Sequence, residues 1–416
     1  MLIEFSVSNY RSIREKRTLS MVAYPRLGKR TNLLKPELEG ENFPSLLKVA
    51  AIYGPNASGK SSLIQALGFA GSMMRRKADP ESYIPVHPFR FDKELASQPS
   101  KFEYNFISRG MRYEYVVEAT KERIHRETLT SYPKGKDVLI YSRHFVDGEG
   151  EKYDFGSLEG GEIVHKAWRR LTSPRVLFLP QAIANSSDEL QQLVPVSDWF
   201  RSSTLCIDQD SMTPWSIVAR SYLHQHPEES RKLSKFLNKL DVPITEIRFD
   251  IVNAEKLTPS SWADDSILNS VEKDFKTKLT HTTDLGSAEF DFEDESGGTK
   301  NLIGFWLPWL HFGAGDGGFV AVDELDSSLH PKIVEKVVRE HLLGKSQKQL
   351  IFTTHDTHLM KTKVLRRDQF WIAERDRYGA TNLFSIHDFD GRDSEDVEGR
   401  YYAGRYRGLP LLKSDD

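Results

Sequence analysis

One run of the sequence is built for phosphate chemistry: Gly54-Pro55-Asn56-Ala57-Ser58-Gly59-Lys60-Ser61, followed by Ser62. It matches the pattern G-x-x-x-x-G-K-[ST]. Glycines let backbone N–H groups of such a loop converge on phosphate oxygens, and the helix predicted to begin near Lys60 adds its positive dipole end. Lys60 is placed for the β- and γ-phosphates of a nucleotide, and the Ser61 hydroxyl for Mg2+. A second run, Phe319-Val320-Ala321-Val322-Asp323-Glu324, reads as an apolar strand ending in two carboxylates. Asp323 suits Mg2+, held through water opposite Ser61. Glu324 suits a general base that polarises an attacking water. Alone, two acids could simply solvate a strand end; a phosphate loop in the same chain gives them a task.

Two further segments bear on the same site. Ser296-Gly297-Gly298, between Glu295 and Thr299, can present a hydroxyl and amides to a phosphate from the start of a helix. Leu350-Ile351-Phe352-Thr353-Thr354-His355 is an apolar strand ending in a histidine that could touch a γ-phosphate. Between them, Leu325-Asp326-Ser327-Ser328-Leu329-His330-Pro331 follows the acid pair directly.

Positioning these residues takes a parallel sheet with helical crossovers. Leu47 to Tyr53 reads as the buried strand before the phosphate loop. Ile3 to Asn9 alternates apolar and polar, as a half-buried opening strand does. The polar stretch from there to about Phe43, with Pro25, Gly28, Pro36 and Gly40, reads as an excursion off the core. From Lys101 to Arg143 the period is two, with Phe102, Tyr104 and Phe106 and then Tyr113, Tyr115 and Val117, so an antiparallel sheet is predicted. Between Ser186 and Lys278 the spacing turns mostly helical, as in Leu233, Phe236, Leu237 and Leu240. The predicted organisation is an N-terminal lobe over 1–180, a helical insertion over 181–285 and a C-terminal lobe over 286–416.

The composition fits a globular chain: 416 residues, 38% hydrophobic, 28% charged, net charge −3. The near balance argues against coating nucleic acid by bulk charge. One cysteine, Cys206, rules out an intramolecular disulfide and a thiolate zinc cluster. Apolar runs are strand-sized and the first residues lack a signal-like pattern, so the predicted location is cytoplasmic, with no membrane partner.

Taken together, these motifs resemble the ABC-type ATPases of the SMC, RecF and OLD group. Asn9-Tyr10-Arg11-Ser12 is similar to the N-terminal segment of that group that lies beside the nucleotide, which marks Asn9 and Arg11 as contacts. The resemblance implies an α/β, ABC-type P-loop core: a mixed, mainly parallel sheet plus an antiparallel β subdomain, with a helical insertion. It implies ATP and Mg2+ as cofactors, Glu324 and His355 beside Lys60 as catalytic groups, and Asp326 in a loop that meets its counterpart in a second copy. Ser296, Gly297 and Gly298 would then serve the partner's nucleotide, making a homodimer or higher homo-oligomer. More narrowly, four segments look like the stand-alone RloA and abortive-infection ATPases: Glu295 to Lys300, Asp323 to Pro331, Arg366-Arg367-Asp368-Gln369-Phe370-Trp371, and Tyr402-Ala403-Gly404-Arg405-Tyr406. That likeness implies a nucleotide-driven switch acting on a separately encoded nuclease or toxin in antiphage defence. The alternatives are a RecF-like DNA-binding repair ATPase and a slowly hydrolysing scaffold.

Departures and exclusions are equally specific. Glu295 and Thr299 stand where transporter-type relatives carry Leu and Gln, and Gln181 is a weak candidate for the Q-loop. The middle of the chain is too short and irregular for a coiled-coil arm, and the stretch after His355 is too short for a TOPRIM nuclease domain. Asp388 and Asp390, and the cluster Asp291, Glu293 and Asp294, read as solvated loop acids rather than a two-metal centre. Nucleic-acid contacts could come from Arg75-Arg76-Lys77 or from Lys361, Lys363, Arg366 and Arg367, though basic residues near a helix end also complement its dipole.

Overall fold

A computed structural model describes residues 1–76, 82–251, 275–311, 317–392 and 395–410. The chain opens with β1 (Leu2–Ser8) and β2 (Arg17–Ser20). The short ladder of β3 (Leu33–Leu34) with β4 (Leu46–Leu47) precedes β5 (Val49–Tyr53) and α1 (Lys60–Arg75). Then come β6 (Ser100–Ser108), β7 (Met111–Ala119), β8 (Ile124–Ser131), β9 (Val138–Val146) and β10 (Gly150–Asp154). The helices α2 (Gly161–Leu171), α3 (Phe178–Ala184) and α4 (Val194–Asp198) lead into β11 (Thr204–Ile207). Next are α5 (Gln209–Gln225), α6 (Pro227–Lys239), β12 (Ile244–Ile251), β13 (Phe275–Thr283), β14 (Gly286–Asp291) and α7 (Gly297–His311). The last part holds β15 (Phe319–Val322), α8 (Pro331–Leu343), β16 (Gln349–Thr353), α9 (His358–Lys361), β17 (Phe370–Arg375), β18 (Thr381–Ser385) and α10 (Val397–Tyr402).

Two compact units result: Met1–Cys206 with Gly313–Glu324 and Val338–Asp416, and Ile207–Phe312 with Leu325–Val337. Besides the β3–β4 ladder, the first unit contains two larger sheets. One is antiparallel, in the order β10-β9-β8-β7-β6-β1-β2. The other runs β11-β15-β16-β5-β17-β18, with β15, β16, β5 and β17 parallel and β18 antiparallel at the edge. Every residue of β5 is buried, as a strand with both faces covered requires. The antiparallel strands keep the predicted alternation, with Phe102, Tyr104, Phe106, Tyr115 and Val117 facing the core. α1 carries its apolar face into that same core: Phe69 stacks on Phe102 at 4.0 Å, and the Tyr104 hydroxyl donates to the Ala66 carbonyl at 3.1 Å.

Residues 181–206 belong to the first unit, not to the insertion, and a buried carboxylate helps to explain the difference. Glu127 on β8 accepts from the hydroxyls of Tyr115 at 2.9 Å and Tyr141 at 2.8 Å. It also accepts from the backbone N–H groups of Phe178 and Leu179, at 2.6 and 3.0 Å. These four donors satisfy the buried carboxyl oxygens, as burial of a polar group requires, and they tie the start of α3 to the sheet. Phe178, Leu179, Ala182, Val196, Trp199 and Phe200 then complete the same core. The second unit is also less helical than the spacing suggested. α5 packs along α7, and α6 lies on the antiparallel sheet β12-β13-β14.

The predicted excursion after β1 is tied down as well. Met21 and Ala23 are core residues. The Asn32 amide donates to the Val364 carbonyl at 3.0 Å and to Gln369 Oε1 at 2.7 Å. No helix among the described residues is long and apolar enough to cross a membrane.

His341, near the end of α8, is buried, and desolvation pushes its pKa down to about 4. Beside it, the Lys48 ammonium donates to the carbonyl of Leu342 at 2.8 Å, at the end of the helix. Once unfolded, the imidazole protonates near its ordinary 6.5. Between those values the unfolded chain binds more protons, so stability is whole above pH 6.5 and is lost as the pH falls toward 4. At pH 5 this one group is expected to remove about 2 kcal/mol relative to pH 7. Urea unfolding at the two pH values checks it: His341→Gln, which cannot charge, is expected to flatten the slope.

Candidate functional site

The chemistry gathers at the carboxyl ends of three parallel strands. β16 lies between β15 and β5, with Val322 opposite Phe352 and Thr353 opposite Ile52. The phosphate loop leaves β5 at Gly54, the acid pair leaves β15 at Asp323, and Thr354 and His355 leave β16. Lys60, buried at the start of α1, folds back over the loop and donates from Nζ to the carbonyls of Gly54 at 2.9 Å and Pro55 at 3.1 Å. Ala57 holds a left-handed backbone, φ 59°. Asn56, Ala57 and Ser61 are exposed, Ser62 half-buried and Ser58 buried. Asp323 is buried and Glu324 half-buried, with Glu324 also left-handed at φ 52°. The Thr353 hydroxyl, fully buried, donates to Asp323 Oδ1 at 2.6 Å and accepts from the Glu324 N–H at 2.7 Å. His355 is exposed at the end of this layer, while the N–H of its neighbour Thr354 donates to the Ile52 carbonyl at 3.1 Å.

The loop after β1 reaches the phosphate loop, but not through the residue the sequence favoured. Asn9 is buried, and its amide is fully engaged with the segment 89–99. Nδ2 donates to the carbonyls of Leu95 and Gln98, at 2.7 and 2.9 Å, and Oδ1 accepts from the Phe89 N–H at 3.0 Å. The Asn9 amide thus clamps its own unit. Arg11 is exposed, left-handed at φ 50°, and touches the Tyr10 hydroxyl at 3.3 Å. Ser12 makes the connection: its hydroxyl donates to Ser62 Oγ at 3.2 Å and accepts from Thr381 Oγ1 at 2.8 Å. Thr381, at the start of β18, also approaches the Ser58 carbonyl at 2.9 Å. A Cβ on Gly59, whose φ is 96°, would collide with Thr381 Oγ1 and come within 2.6 Å of Ser12 Oγ, so this position needs glycine. Ser12 lies within the segment Asn9 to Ser12 to which the sequence points, whereas Thr381, a hydroxyl from a distant strand, leaves no spacing signal.

In the second unit, Ser296 caps α7, its Oγ accepting from the Thr299 N–H at 3.1 Å. Glu295, where transporters carry Leu, accepts from His281 Nε2 at 2.6 Å. The loop 325–330 packs directly on this helix start. The Asn301 amide donates to the Ser327 carbonyl at 3.2 Å, and Ser328 takes a left-handed φ of 61°. A Cβ on Gly298 would run into the Ser328 carbonyl oxygen, whereas one on Gly297 would sit 3.6 Å from Ser328 Oγ. Asp326 lies in that loop, half-buried.

A family model described as "AAA domain, putative AbiEii toxin, Type IV TA system" matches residues 49–174 and 208–361, well over half of the chain. The chain belongs to this AAA domain family. Comparison with curated proteins returns no match. Among solved structures, an SMC head bound to the C-terminal winged-helix domain of ScpA is 14% identical, with a TM-score of 0.43, over 92% of this chain and 97% of that one. The SMC head domain from Thermotoga maritima is also 14% identical, with a TM-score of 0.42, over 92% and 98%. The architecture is mixed α/β, with β15, β16, β5 and β17 parallel in one sheet beside an antiparallel one, as the motifs predicted.

The residues of this AAA domain fit a nucleotide and its Mg2+. Ser58 Oγ is buried in the phosphate loop without a hydrogen-bond partner among the described residues. The oxygen donors Ser61 and Asp323 are of the hard type that Mg2+ takes together with phosphates and water. A cage of three or more His, Cys, Asp or Glu side chains is absent among the described residues. Other candidates turn out to be structural. Arg75 donates to the carbonyls of Phe200, Arg201 and Thr204. Arg366 is buried in a two-point pair with Asp368, at 2.9 and 2.7 Å, and binds the carbonyls of Tyr24, Leu27 and Gly28. Arg367 is buried against the carbonyls of Ile386 and Phe389. None of these three arginines is available to nucleic acid, and Lys77 lies outside the described residues. Gln181 Nε2 donates to the Leu171 carbonyl at 3.0 Å, a helix contact rather than a Q-loop. Tyr402 and Glu398 of α10 meet Thr357, just past His355, at 3.0 and 2.8 Å.

The close approach at α7 yields a contrast. Gly298→Ala is expected to destabilise the protein by about 1–3 kcal/mol, because a methyl is forced onto a backbone carbonyl. Gly297→Ala, with room for the methyl, is expected to stay near wild type. Urea unfolding of the two variants side by side measures this; equal stability would contradict the packing.

Proposed function

We propose that this AAA domain is an ATP-hydrolysing switch that works as a pair of chains. The observation that carries the reading is the meeting of phosphate loop and acid pair at the ends of β5, β15 and β16, with Glu324 in a left-handed backbone. In this reading Lys60, Ser61 and Ser62, with the amides of Gly54 to Gly59, bind the phosphates of ATP. Ser61 and Asp323 hold Mg2+, which when bound supplies charge compensation at the phosphates. Glu324 orients and deprotonates the attacking water, and His355 lies where a γ-phosphate contact would report that phosphate's presence. Arg11 stays a candidate contact at the edge of the loop.

Ser296, Gly297, Gly298 and Asp326 are assigned to the partner copy's nucleotide. A phosphate bridging two chains is what makes ATP binding and pairing one event, and hydrolysis would release it. Packing of 325–330 on the start of α7 supports treating these two motifs as one surface. The family's description, with its putative AbiEii toxin of a type IV system, supports an output in bacterial defence; that a separately encoded nuclease or toxin delivers it rests on the sequence resemblance alone. The structural engagement of Arg75, Arg366 and Arg367 weakens a DNA-repair reading, which is left to Arg76 and to the exposed Lys361 and Lys363.

Glu324→Gln keeps the shape of the side chain but loses the base. It is expected to lower ATP turnover by about a hundredfold or more and to make an ATP-dependent dimer persist in size-exclusion chromatography with light scattering. Unchanged turnover with no trapped dimer would sink the mechanism.

A further inference from the structure

Thr353 sits between the two acids and bonds to both. Its hydroxyl carries one proton and two lone pairs. The backbone N–H of Glu324 can only donate, so the hydroxyl must accept there, at 2.7 Å. Its single proton is therefore free for Asp323 Oδ1, at 2.6 Å. Thr353 is completely buried, the last residue of β16, and held in register opposite Ile52, so the hydroxyl is fixed in place by the sheet. The next hydroxyl along the chain has a different duty: Thr354 Oγ1 accepts from the Asp356 N–H at 2.9 Å and shapes the loop beyond.

Glu324 needs such an anchor. With φ at 52° it holds a backbone conformation that side chains rarely adopt. Its one backbone donor is what Thr353 grips. We propose that Thr353 is a positioning residue for hydrolysis: one hydroxyl orients the metal-holding carboxylate of Asp323 and fixes the backbone of Glu324, so the water-activating acid is placed through the same group as the metal-holding one. This rests on the roles given to Asp323 and Glu324 above.

Valine has the shape of threonine without the hydroxyl and suits a buried strand equally well, so Thr353→Val removes the two bonds and little else. The full-length protein is assayed for steady-state ATP hydrolysis, for half-saturating Mg2+ and for binding of a fluorescent ATP analogue in EDTA. Loss of a hydrogen bond to a charged group predicts a fall in kcat of about ten- to hundredfold and a rise in half-saturating Mg2+. Nucleotide affinity in EDTA is expected to stay at the wild-type value, and Thr353→Ser, which restores the hydroxyl, to recover both kcat and the Mg2+ response. Wild-type kcat and Mg2+ response in Thr353→Val would overturn the proposal. So would equal impairment of the valine and serine variants with lowered melting temperatures, which is the pattern of a packing role. Asp323→Asn and Glu324→Gln run alongside: normal turnover in those two would instead remove the assignment of the acids, and this proposal with it.

Discussion

The site depends on the register of β16 between its two parallel neighbours. Phe319 to Val322 pairs with Gln349 to Phe352, and Leu350 to Thr353 with Val49 to Ile52. These two ladders bring the three strand ends to one level, so Gly54, Asp323 and Thr354 emerge side by side. A slip of one residue would turn every side chain of β16 to the opposite face and carry the Thr353 hydroxyl away from the acids. The register is pinned at the other end by Gln349, fully buried. Its Oε1 accepts from the Leu2 N–H at 2.6 Å, and its Nε2 donates to the carbonyls of Leu2 at 2.9 Å and Leu47 at 3.2 Å. An amide at the bottom of the strand thus protects the geometry of hydroxyls and carboxylates at its top.

Local patterns made much of the first unit legible. A phosphate loop needs its glycines, lysine and serine consecutive, so Gly54 to Ser61 can be read directly, as can an apolar strand ending in Asp323 and Glu324. Period two in Lys101 to Arg143 became β6 to β9 because half-buried strands alternate. The misses share one cause, which is that partners distant in sequence decide what a polar residue does. Asn9 looked like a ligand because its neighbours match a nucleotide segment, yet carbonyls from 95 to 99 claim its amide. Arg366 and Arg367 looked like a basic patch, and a buried aspartate with backbone oxygens claims them. Thr353 and Thr381 look like ordinary strand residues, and only the sheet reveals what their hydroxyls touch. Glu127 likewise carried no sign that it would draw residues 178–184 into the first unit.

Within the second unit, the start of α7 and the loop 325–330 behave as one piece. Gly298 lets the Ser328 carbonyl approach as no other residue would, and Asn301 holds the neighbouring Ser327 carbonyl. Any displacement of one motif carries the other along. Glu295 joins the same piece to β13 through His281, so the sheet β12-β13-β14 is mechanically continuous with the helix start.

The central position of β5 has a consequence for biosynthesis. In the parallel sheet its hydrogen-bonding partners are β16 and β17, at residues 349–353 and 370–375. A ribosome therefore releases β5, an entirely apolar strand, long before either neighbour exists. Until residue 375 has left the exit tunnel, this sheet cannot close, while the hairpins β6 to β10 can form from local pairing as they emerge. High contact order of this kind slows folding and lengthens exposure of sticky edges. Assembly of the sheet is thus a late event, and the nascent chain is a natural client for chaperones that shield apolar strands.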